Sequence, residues 1–272
     1  MRLNVKQFIL NSEPDKDGLV QLEGSDYNYL VRVRRLATGE FFPALLPNGE
    51  EVLVQVVSIE GNVLTGKYTN PAPSRTFGST SLSVPCEKSS QIILFQAMPK
   101  GDKMDLIVRQ AAEGGIAEII PFVSEFSVGK ANVGAQKFSR WEKIIKEARQ
   151  QSGSKTATVL HKPLTMIELF DHWKKLKEEA AHTGATGLLF HHKGLEQKSL
   201  HGYLSSSPSL VVLVIGPEGG FSEKEVALFL ENDFKPITIG DTVLRTETAA
   251  LYCAAAIRIL LLEKDSWELK QA

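Results

Sequence analysis

Two turns in the last quarter of the chain carry the residues best suited to hold a ligand. Residues 216–220 read Gly-Pro-Glu-Gly-Gly, and residues 240–248 read Gly-Asp-Thr-Val-Leu-Arg-Thr-Glu-Thr. Both are rich in main-chain donors and acceptors, and their glycines let a ligand approach the backbone closely. Because an open α/β sheet binds its ligands at strand ends, we expect a cofactor pocket at these turns.

The element that positions the first turn is a buried strand followed by a capped helix. Residues 210–215 form a continuous aliphatic run after Pro208, which is typical of a strand covered on both faces. Ser222 and Glu225 have the spacing of a capping box. The helix is therefore predicted to begin at about Glu223.

The second turn lies between a short strand and an unusually apolar helix. Residues 237–239 are predicted to be the strand, and residues 249–262 the helix, which is apolar nearly all round apart from Arg258. A helix without a polar face is usually buried on more than one side, by its own sheet or by a second subunit.

The preceding part of the chain alternates between strand and helix patterns. This alternation predicts a parallel sheet with helices on both faces. The further predicted strands are residues 91–98, 116–123, 158–160 and 186–191, and a long lysine-rich helix is predicted over residues 165–181.

The first part of the chain has only strand patterns and reads as a small barrel of about five strands. Asn48-Gly49 suits a type I′ hairpin, in which both turn positions need a positive φ. Proline, glycine and serine without apolar periodicity then mark a boundary. We predict a barrel domain at residues 1–72, a linker at 73–84 and an α/β domain at 85–272.

Length and composition set the class of protein. The chain has 272 residues and a formal net charge of -1, so a polyanionic partner must meet a local basic patch. Its two cysteines, Cys86 and Cys253, share no spacing motif and indicate no disulfide framework or metal cluster. The sequence shows no secretory signal and no transmembrane run, so we expect a cytoplasmic protein with no membrane partner.

Five ordered blocks of the sequence resemble one known family. They read ILFQAMPKGDKMDLIVRQAAEGG, SEFSV, RWEKIIKEARQQSG, VIGPEGGFSEKEV and IGDTVLRTETAAL, and YLVRVRRLATGE adds a match in the barrel. The chain resembles the RsmE family of small-subunit ribosomal RNA (uracil-N3)-methyltransferases, which belongs to the SPOUT superfamily. The resemblance spans nearly the whole chain.

The resemblance implies a fold, a reaction and partners. The fold is a SPOUT-type parallel α/β sheet with a C-terminal trefoil knot, preceded by a PUA-like β-barrel that binds RNA. The reaction is S-adenosyl-L-methionine-dependent methylation of uridine N3 in 16S ribosomal RNA, presented by the assembled 30S subunit. A homodimer that pairs through the apolar last helix is also implied.

The resemblance further implies which residues hold the cofactor's adenine and ribose. They fall on three segments that follow or end predicted strands. They are Leu188, Leu189, Phe190, Ile215, Gly216, Pro217, Glu218, Gly219, Ile239, Gly240, Leu244, Thr246, Thr248 and Ala249.

The implied reaction needs an aligned methyl donor and a deprotonated uracil imide. Arg245 lies beside the predicted cofactor, and its guanidinium keeps its charge, so we expect it to face the uracil anion or its phosphate. An alternative is that Arg245 pairs with Glu247 or caps a carbonyl. Glu247 is a second catalytic candidate, although a carboxylate at a helix start is also favoured by the helix dipole alone.

Two basic regions are candidates for RNA contact. Arg32, Arg34 and Arg35 follow the aromatic pair Tyr27 and Tyr29 in the barrel. The second region lies within residues 130–162, where cations outnumber acidic residues, and its candidates are Lys143, Lys146 and Arg149. A solvated helix face is the simpler alternative for any single lysine.

His191 and His192 have no matching ligand spacing, so we read them as loop or pocket-lining residues and predict no metal site. The chain also departs from the family pattern. Phe126 and Ser154 stand where arginine is usual, and Gln150 stands where an acidic residue is usual. These departures concern RNA binding more than the cofactor site.

Two other functions remain open at the level of sequence. The chain could be a non-catalytic RNA-binding ribosome assembly factor with the same fold. It could also bind a phosphorylated metabolite, with residues 216–220 as a phosphate nest before a helix. Against the latter, no lysine follows the glycines, and Glu218 would repel phosphate.

Overall fold

The computed structural model describes residues 7–69, 90–128, 133–192 and 194–263. The chain divides into two compact units, Met1–Val84 with Arg149–Ala157, and Pro85–Ala148 with Thr158–Ala272. The grouping of residues 149–157 with the first unit differs from the division drawn from the sequence. The proposed linker, 73–84, lies outside the described residues, so that boundary stays a prediction.

The first unit is built on a five-stranded sheet with the order β1-β3-β4-β5-β2. Strand β1 pairs in parallel with β3, and the other pairs are antiparallel. Alternate residues of β4, including Val52, Val54 and Val56, are buried, as a sheet with one covered face requires. The strands are β1 (Phe8–Ile9), β2 (Leu19–Leu22), β3 (Phe41–Leu45), β4 (Glu51–Glu60) and β5 (Val63–Thr69). A short helix α1 (Gly24–Tyr27) and a π-helical segment (Asn28–Val33) lie between β2 and β3.

The hairpin between β3 and β4 corrects one prediction. Only Gly49 has a positive φ, of 92°, so the turn is not type I′. The N–H of Gly49 instead donates to the carbonyl of Leu46 at 2.9 Å. Pro47 holds its own φ near −65°, which suits the second position of a type I turn and leaves the left-handed position to the glycine.

The second unit contains a six-stranded sheet with the order β11-β9-β10-β6-β7-β8. All of its strand pairs are parallel. Every residue of β10 is buried, as predicted for a strand covered on both faces. The strands are β6 (Gln91–Ala97), β7 (Glu118–Phe122), β8 (Val159–Leu160), β9 (Ala185–Phe190), β10 (Leu210–Ile215) and β11 (Lys235–Ile237).

The helices of this unit bury the two faces of the sheet. Alternate residues of β9 and β10 point into different cores: Leu188 and Val211 belong to one, and Leu189 and Val212 to the other. The predicted parallel α/β sheet is therefore confirmed, whereas the trefoil knot and the PUA-like barrel stay predictions. The helices are α2 (Lys103–Glu113), α3 (Ala135–Ser152), α4 (Met166–Glu179), α5 (Leu200–Leu204), α6 (Glu223–Glu231) and α7 (Thr246–Glu263). The residues of α3 from Arg149 onward are grouped with the first unit.

Two helix starts show what local sequence does and does not determine. Helix α6 begins at Glu223 as predicted, because Ser222 and Glu225 form the capping box. Helix α7 begins three residues before the predicted position 249, because the N–H groups of Thr248 and Ala249 both donate to the carbonyl of Arg245. Among the described residues, no helix combines the length and the apolarity needed to span a bilayer.

Candidate active site

The carboxyl ends of strands β9, β10 and β11 lie on the same side of the sheet. They are parallel neighbours, with Ile237 of β11 opposite Phe190 of β9. The segments that follow them, including residues 216–220 and 238–246, surround a cavity of ≈ 850 Å³. That volume is in the range of about 300–1,000 Å³ typical of small-molecule sites.

Two positions of the glycine turn after β10, Gly216 and Gly219, have little room for a side chain. A Cβ built on Gly216 would lie 3.2 Å from the ring of Phe221. A Cβ built on Gly219 would lie 2.9 Å from the Cβ of Phe126. Gly220 has a φ of 70°, and its N–H donates to the carbonyl of Pro217 at 2.9 Å. All five residues of the turn line the cavity.

Most of the predicted cofactor residues line this cavity. Leu188 and Leu189 do not, because their side chains are fully buried in the two cores on either side of the sheet. Thr248 is exposed and also lies outside the lining. The predicted residues that do line the cavity are Phe190, Ile215, Gly216, Pro217, Glu218, Gly219, Ile239, Gly240, Leu244, Thr246 and Ala249.

Lys103, at the start of α2, was missed by the sequence reasoning. Its Nζ lies 2.7 Å from Oε1 of Glu218 and 3.6 Å from Oε2 of Glu247. The hydrogen bond with Glu218 raises the pKa of Lys103 above its usual value. The ammonium thus links the glycine turn to the first turn of α7. Lys103 lies in the segment PKGDKMD, which is part of the first block that resembles the family. That match could have drawn attention to Lys103, but no role was predicted for it from the sequence.

Glu218 is held ionised by the same contact. Partial burial opposes its ionisation, but the hydrogen bonds from Lys103 and from the main-chain N–H of Lys100 outweigh it, so the pKa of Glu218 lies below its usual value. The carboxylate is therefore neutralised by Lys103 at the rim of the cavity.

The two catalytic candidates face different surroundings. Arg245 is exposed and lines the cavity, and within the described part of the chain no carboxylate lies within ion-pair distance of it. The Arg245–Glu247 pair considered from the sequence does not form, because Glu247 approaches Lys103 instead. The side chain of Glu247 is only 13% exposed and lies outside the cavity lining.

The candidate RNA-binding residues differ in how far their side chains are exposed to solvent. Arg32, Arg34 and Arg35 are exposed. On α3 the side chain of Lys143 is 75% exposed, and Lys146 is half-buried.

Arg149 differs from the other candidates, since it is only 6% exposed. Loss of hydration lowers the pKa of its guanidinium. A phosphate contact needs an accessible guanidinium, so the structure places Arg149 where it cannot make the contact proposed from the sequence.

His191 and His192 stack on each other with ring centroids 4.8 Å apart, and both line the cavity. Within residues 7–69, 90–128, 133–192 and 194–263, no group of three His, Cys, Asp or Glu side chains is arranged to hold a metal. Cys253 also lines the cavity, but burial raises the pKa of its thiol to about 12, which keeps it protonated and unreactive.

The sequence of this chain matches a known family of enzymes and several of its members. The model of the RNA methyltransferase domain family matches residues 86–258. The chain is 30% identical over 238 residues to ribosomal RNA small subunit methyltransferase E 2 of Borreliella burgdorferi, covering 86% of this chain and 88% of that protein. It is 28% identical over 249 residues to ribosomal RNA small subunit methyltransferase E of Bacillus subtilis, covering 87% and 88%.

Solved structures are similar along nearly the whole chain. The ribosomal RNA small subunit methyltransferase E of Neisseria gonorrhoeae, bound to S-adenosyl methionine, matches with a TM-score of 0.74 at 25% identity, covering 93% of this chain and 97% of that one. A putative methyltransferase of Legionella pneumophila, also in complex with this cofactor, matches with a TM-score of 0.71 at 25% identity, covering 94% and 98%. The chain belongs to the RsmE family of ribosomal RNA small subunit methyltransferases, within the SPOUT superfamily.

Proposed function

We propose that this chain uses S-adenosyl-L-methionine to methylate N3 of a uridine in 16S ribosomal RNA. The observation that carries the proposal is the cavity at the carboxyl ends of β9, β10 and β11, where main-chain groups of two turns meet apolar side chains. Relatives with this fold hold S-adenosyl methionine. Family membership favours this enzyme over the non-catalytic assembly factor.

The cavity suits a nucleoside with a charged tail. Ile215, Ile239 and Leu244 give apolar surface for a purine ring, and the turn that contains Gly216 and Gly219 gives main-chain groups for a ribose. When bound, the cofactor supplies an electrophilic methyl group. The protein's task is to align that group with the base and to exclude competing nucleophiles.

Arg245 is the residue that we assign to the uracil. The imide must lose a proton before N3 can attack, and a fixed guanidinium stabilises the resulting anion without itself titrating. Its exposure on the cavity and its freedom from the carboxylate of Glu247 leave its charge available. Glu247 acts indirectly, by holding the ammonium of Lys103 beside the glycine turn.

RNA is bound, in this proposal, by exposed or half-buried cations of both units. In the first unit these are Arg32, Arg34 and Arg35, and on α3 they are Lys143 and Lys146. The substrate is the assembled 30S subunit in the cytoplasm. Because the net charge is only -1, such local groups must supply the attraction for the phosphate backbone.

A homodimer is the assembly that we propose, formed through α7. This helix has exposed apolar side chains within the described residues: Leu251, Tyr252, Ile259 and Leu262 are each at least 40% exposed. Such a row favours burial against a second copy. Sedimentation should give twice the chain mass for the natural protein, and Ile259→Glu should shift it towards the monomer. A monomeric natural protein at micromolar concentration would rule the dimer out.

The proposed function is tested in cells that lack the protein and with the purified protein. Mass spectrometry of 16S RNA from cells that lack the protein should show the loss of one 3-methyluridine, which the natural gene restores. Purified protein should transfer labelled methyl groups to 30S subunits from the deletion strain more efficiently than to free RNA. Unmodified RNA in the complemented strain, together with no cofactor binding in calorimetry, would support the assembly factor instead.

A further inference from the structure

Gln96 is a fully buried amide on β6, a strand in the interior of the sheet. Its side chain is 0% exposed, and it lies opposite Ile215 of β10 and Pro121 of β7. The other residues of β6 from Ile92 onward are apolar. A buried amide lowers stability unless its polar atoms are hydrogen-bonded, so this position calls for an explanation.

The amide begins a chain of hydrogen bonds that runs to the cavity. Its Nε2 donates to the carbonyl of Ala97 and to Oγ1 of Thr246, both at 2.9 Å. Because a carbonyl can only accept, the bond to Ala97 fixes which end of the amide faces Thr246. The hydroxyl of Thr246 must then use its own hydrogen, which it donates to the carbonyl of Gly216 at 2.7 Å.

The chain connects the two turns that hold the predicted ligand. Gly216 opens the turn after β10, and Thr246 is the first residue of α7. Both line the cavity, whereas Gln96 lies behind them. These hydrogen bonds hold the turn after β10 and the start of α7 in a fixed position relative to each other.

One polar atom of the Gln96 side chain is left without a hydrogen bond to the described part of the chain, which lowers the stability of the fold. Its Oε1 is buried without a hydrogen-bond partner among the described residues. An apolar side chain of similar size would fill the same space without that loss. We propose that Gln96 is a positioning residue of the methyl-donor site: through Thr246 it holds the Gly216 carbonyl and the start of α7 in the arrangement that binds S-adenosyl-L-methionine. This inference rests on the proposed function.

The test separates positioning from stability by removing one or both partners. In the full-length protein, Gln96→Leu, Thr246→Val and the double variant are compared by melting temperature and by calorimetric affinity for S-adenosyl-L-methionine. Thr246→Val takes one acceptor from the buried Gln96 amide and the donor from the Gly216 carbonyl, so it should melt earlier. Gln96→Leu removes the unpaired Oε1 together with the two Nε2 hydrogen bonds and should change the melting temperature less. The double variant should recover the part of the Thr246→Val loss that comes from the Gln96 amide. Affinity should fall about tenfold in each single variant and stay low in the double variant, because both residues act through one chain.

Gln110→Leu is the matched control. Gln110 also has a buried Oε1 without a described partner, but it lies on α2 outside this cavity. It should change the melting temperature alone. The inference is overturned if Gln96→Leu binds the cofactor as tightly as the natural protein, or if affinity recovers in the double variant together with stability.

Failure of the inference and failure of the proposed function give different results. If the natural protein binds no S-adenosyl-L-methionine, the proposed function is wrong and the inference falls with it. If the natural protein binds and methylates while Gln96→Leu behaves like Gln110→Leu, only the role of Gln96 is wrong. Gln96→Met, which keeps the side-chain length, replaces Gln96→Leu in both comparisons if the leucine variant does not fold.

Discussion

Among the described residues, two cations and two carboxylates line the cavity: Lys103, Arg245, Glu218 and Asp241. Lys103 neutralises Glu218 through a close ion pair and stays within 3.6 Å of Glu247. Arg245 is then a cation on the lining that no described carboxylate neutralises. An anionic base or phosphate that enters the cavity therefore meets a guanidinium, which is the arrangement that stabilises charge developing on a substrate.

Arg245→Ala should remove that stabilisation and leave the cofactor cavity intact. We expect turnover to fall by about 10²–10³-fold, as for other single groups that stabilise developing charge. Affinity for S-adenosyl-L-methionine should change by less than about twofold, because the cofactor contacts assigned here are main-chain and apolar. Filter-binding methylation assays and calorimetry measure the two quantities, and an Ala variant with natural turnover would contradict the assignment.

Gly219→Val should block cofactor uptake by steric overlap. A Cβ at this position would already lie 2.9 Å from the Cβ of Phe126, which is not the mobile end of a side chain. The turn must shift to accept valine, and we expect affinity for the cofactor to fall at least about tenfold. Gly134→Ala is the control, because its Cβ would have open space. Equal cofactor affinity in both variants would show that this turn does not form the pocket.

At the scale of elements, helix α6 ties the glycine turn to the neighbouring loop. Glu225 is buried, and its carboxylate accepts from the N–H of Ser222 at 3.0 Å and from the N–H of Glu125 at 2.8 Å. One side chain thus completes the cap of α6 and holds the segment after β7, which includes Phe126. The capping pattern fixes the helix start locally, and the contact with Glu125 extends its effect to the rim of the cavity.

Ser222→Ala should destabilise the protein by about 1 kcal/mol, because the N–H of Glu225 loses its acceptor. Urea unfolding measures the change in the free energy of unfolding. Ser222→Asp keeps an acceptor at the same position and should retain most of the stability. If the alanine and aspartate variants are equally stable, the cap contributes nothing measurable.

At the scale of the whole molecule, stability should depend on a polar cluster away from the cavity. Nε2 of His161 lies 2.7 Å from Oε2 of Glu118, and the rings of His161 and His172 are 5.5 Å apart. Burial, assisted by His161, lowers the pKa of His172 below its usual 6.5. The hydrogen bond from His161 lowers the pKa of Glu118 below its usual 4.5.

Both shifts predict that acid weakens the fold. The unfolded chain protonates His172 near pH 6.5 and the folded chain only at lower pH, so stability falls as the pH decreases through that window. Glu118 adds a further loss as the pH falls below 4.5 towards its lower folded pKa.

Melting temperatures between about pH 7.5 and pH 5.5 test the histidine part of this prediction. The fall should be smaller in His172→Gln than in the natural protein. His182→Gln replaces an exposed histidine and is the control. An unchanged pH dependence in His172→Gln would show that another group is responsible.

Local sequence by itself determined the elements and the turns of this protein. The aliphatic run at 210–215 specified a buried strand, and the spacing of Ser222 and Glu225 specified the helix start. The glycines of residues 216–220 marked a turn that lines the cavity. These features depend on periodicity, capping and backbone freedom, which act over a few neighbouring residues.

Only the tertiary structure decided which side chains reach the cavity. Lys103 lies more than a hundred residues from Glu218 and Glu247 in sequence, and Gln96 reaches Thr246 across the sheet. Arg149 looked like its exposed neighbours on α3 but is buried. Strand order and helix packing set these outcomes, because they bring together residues that no local pattern relates.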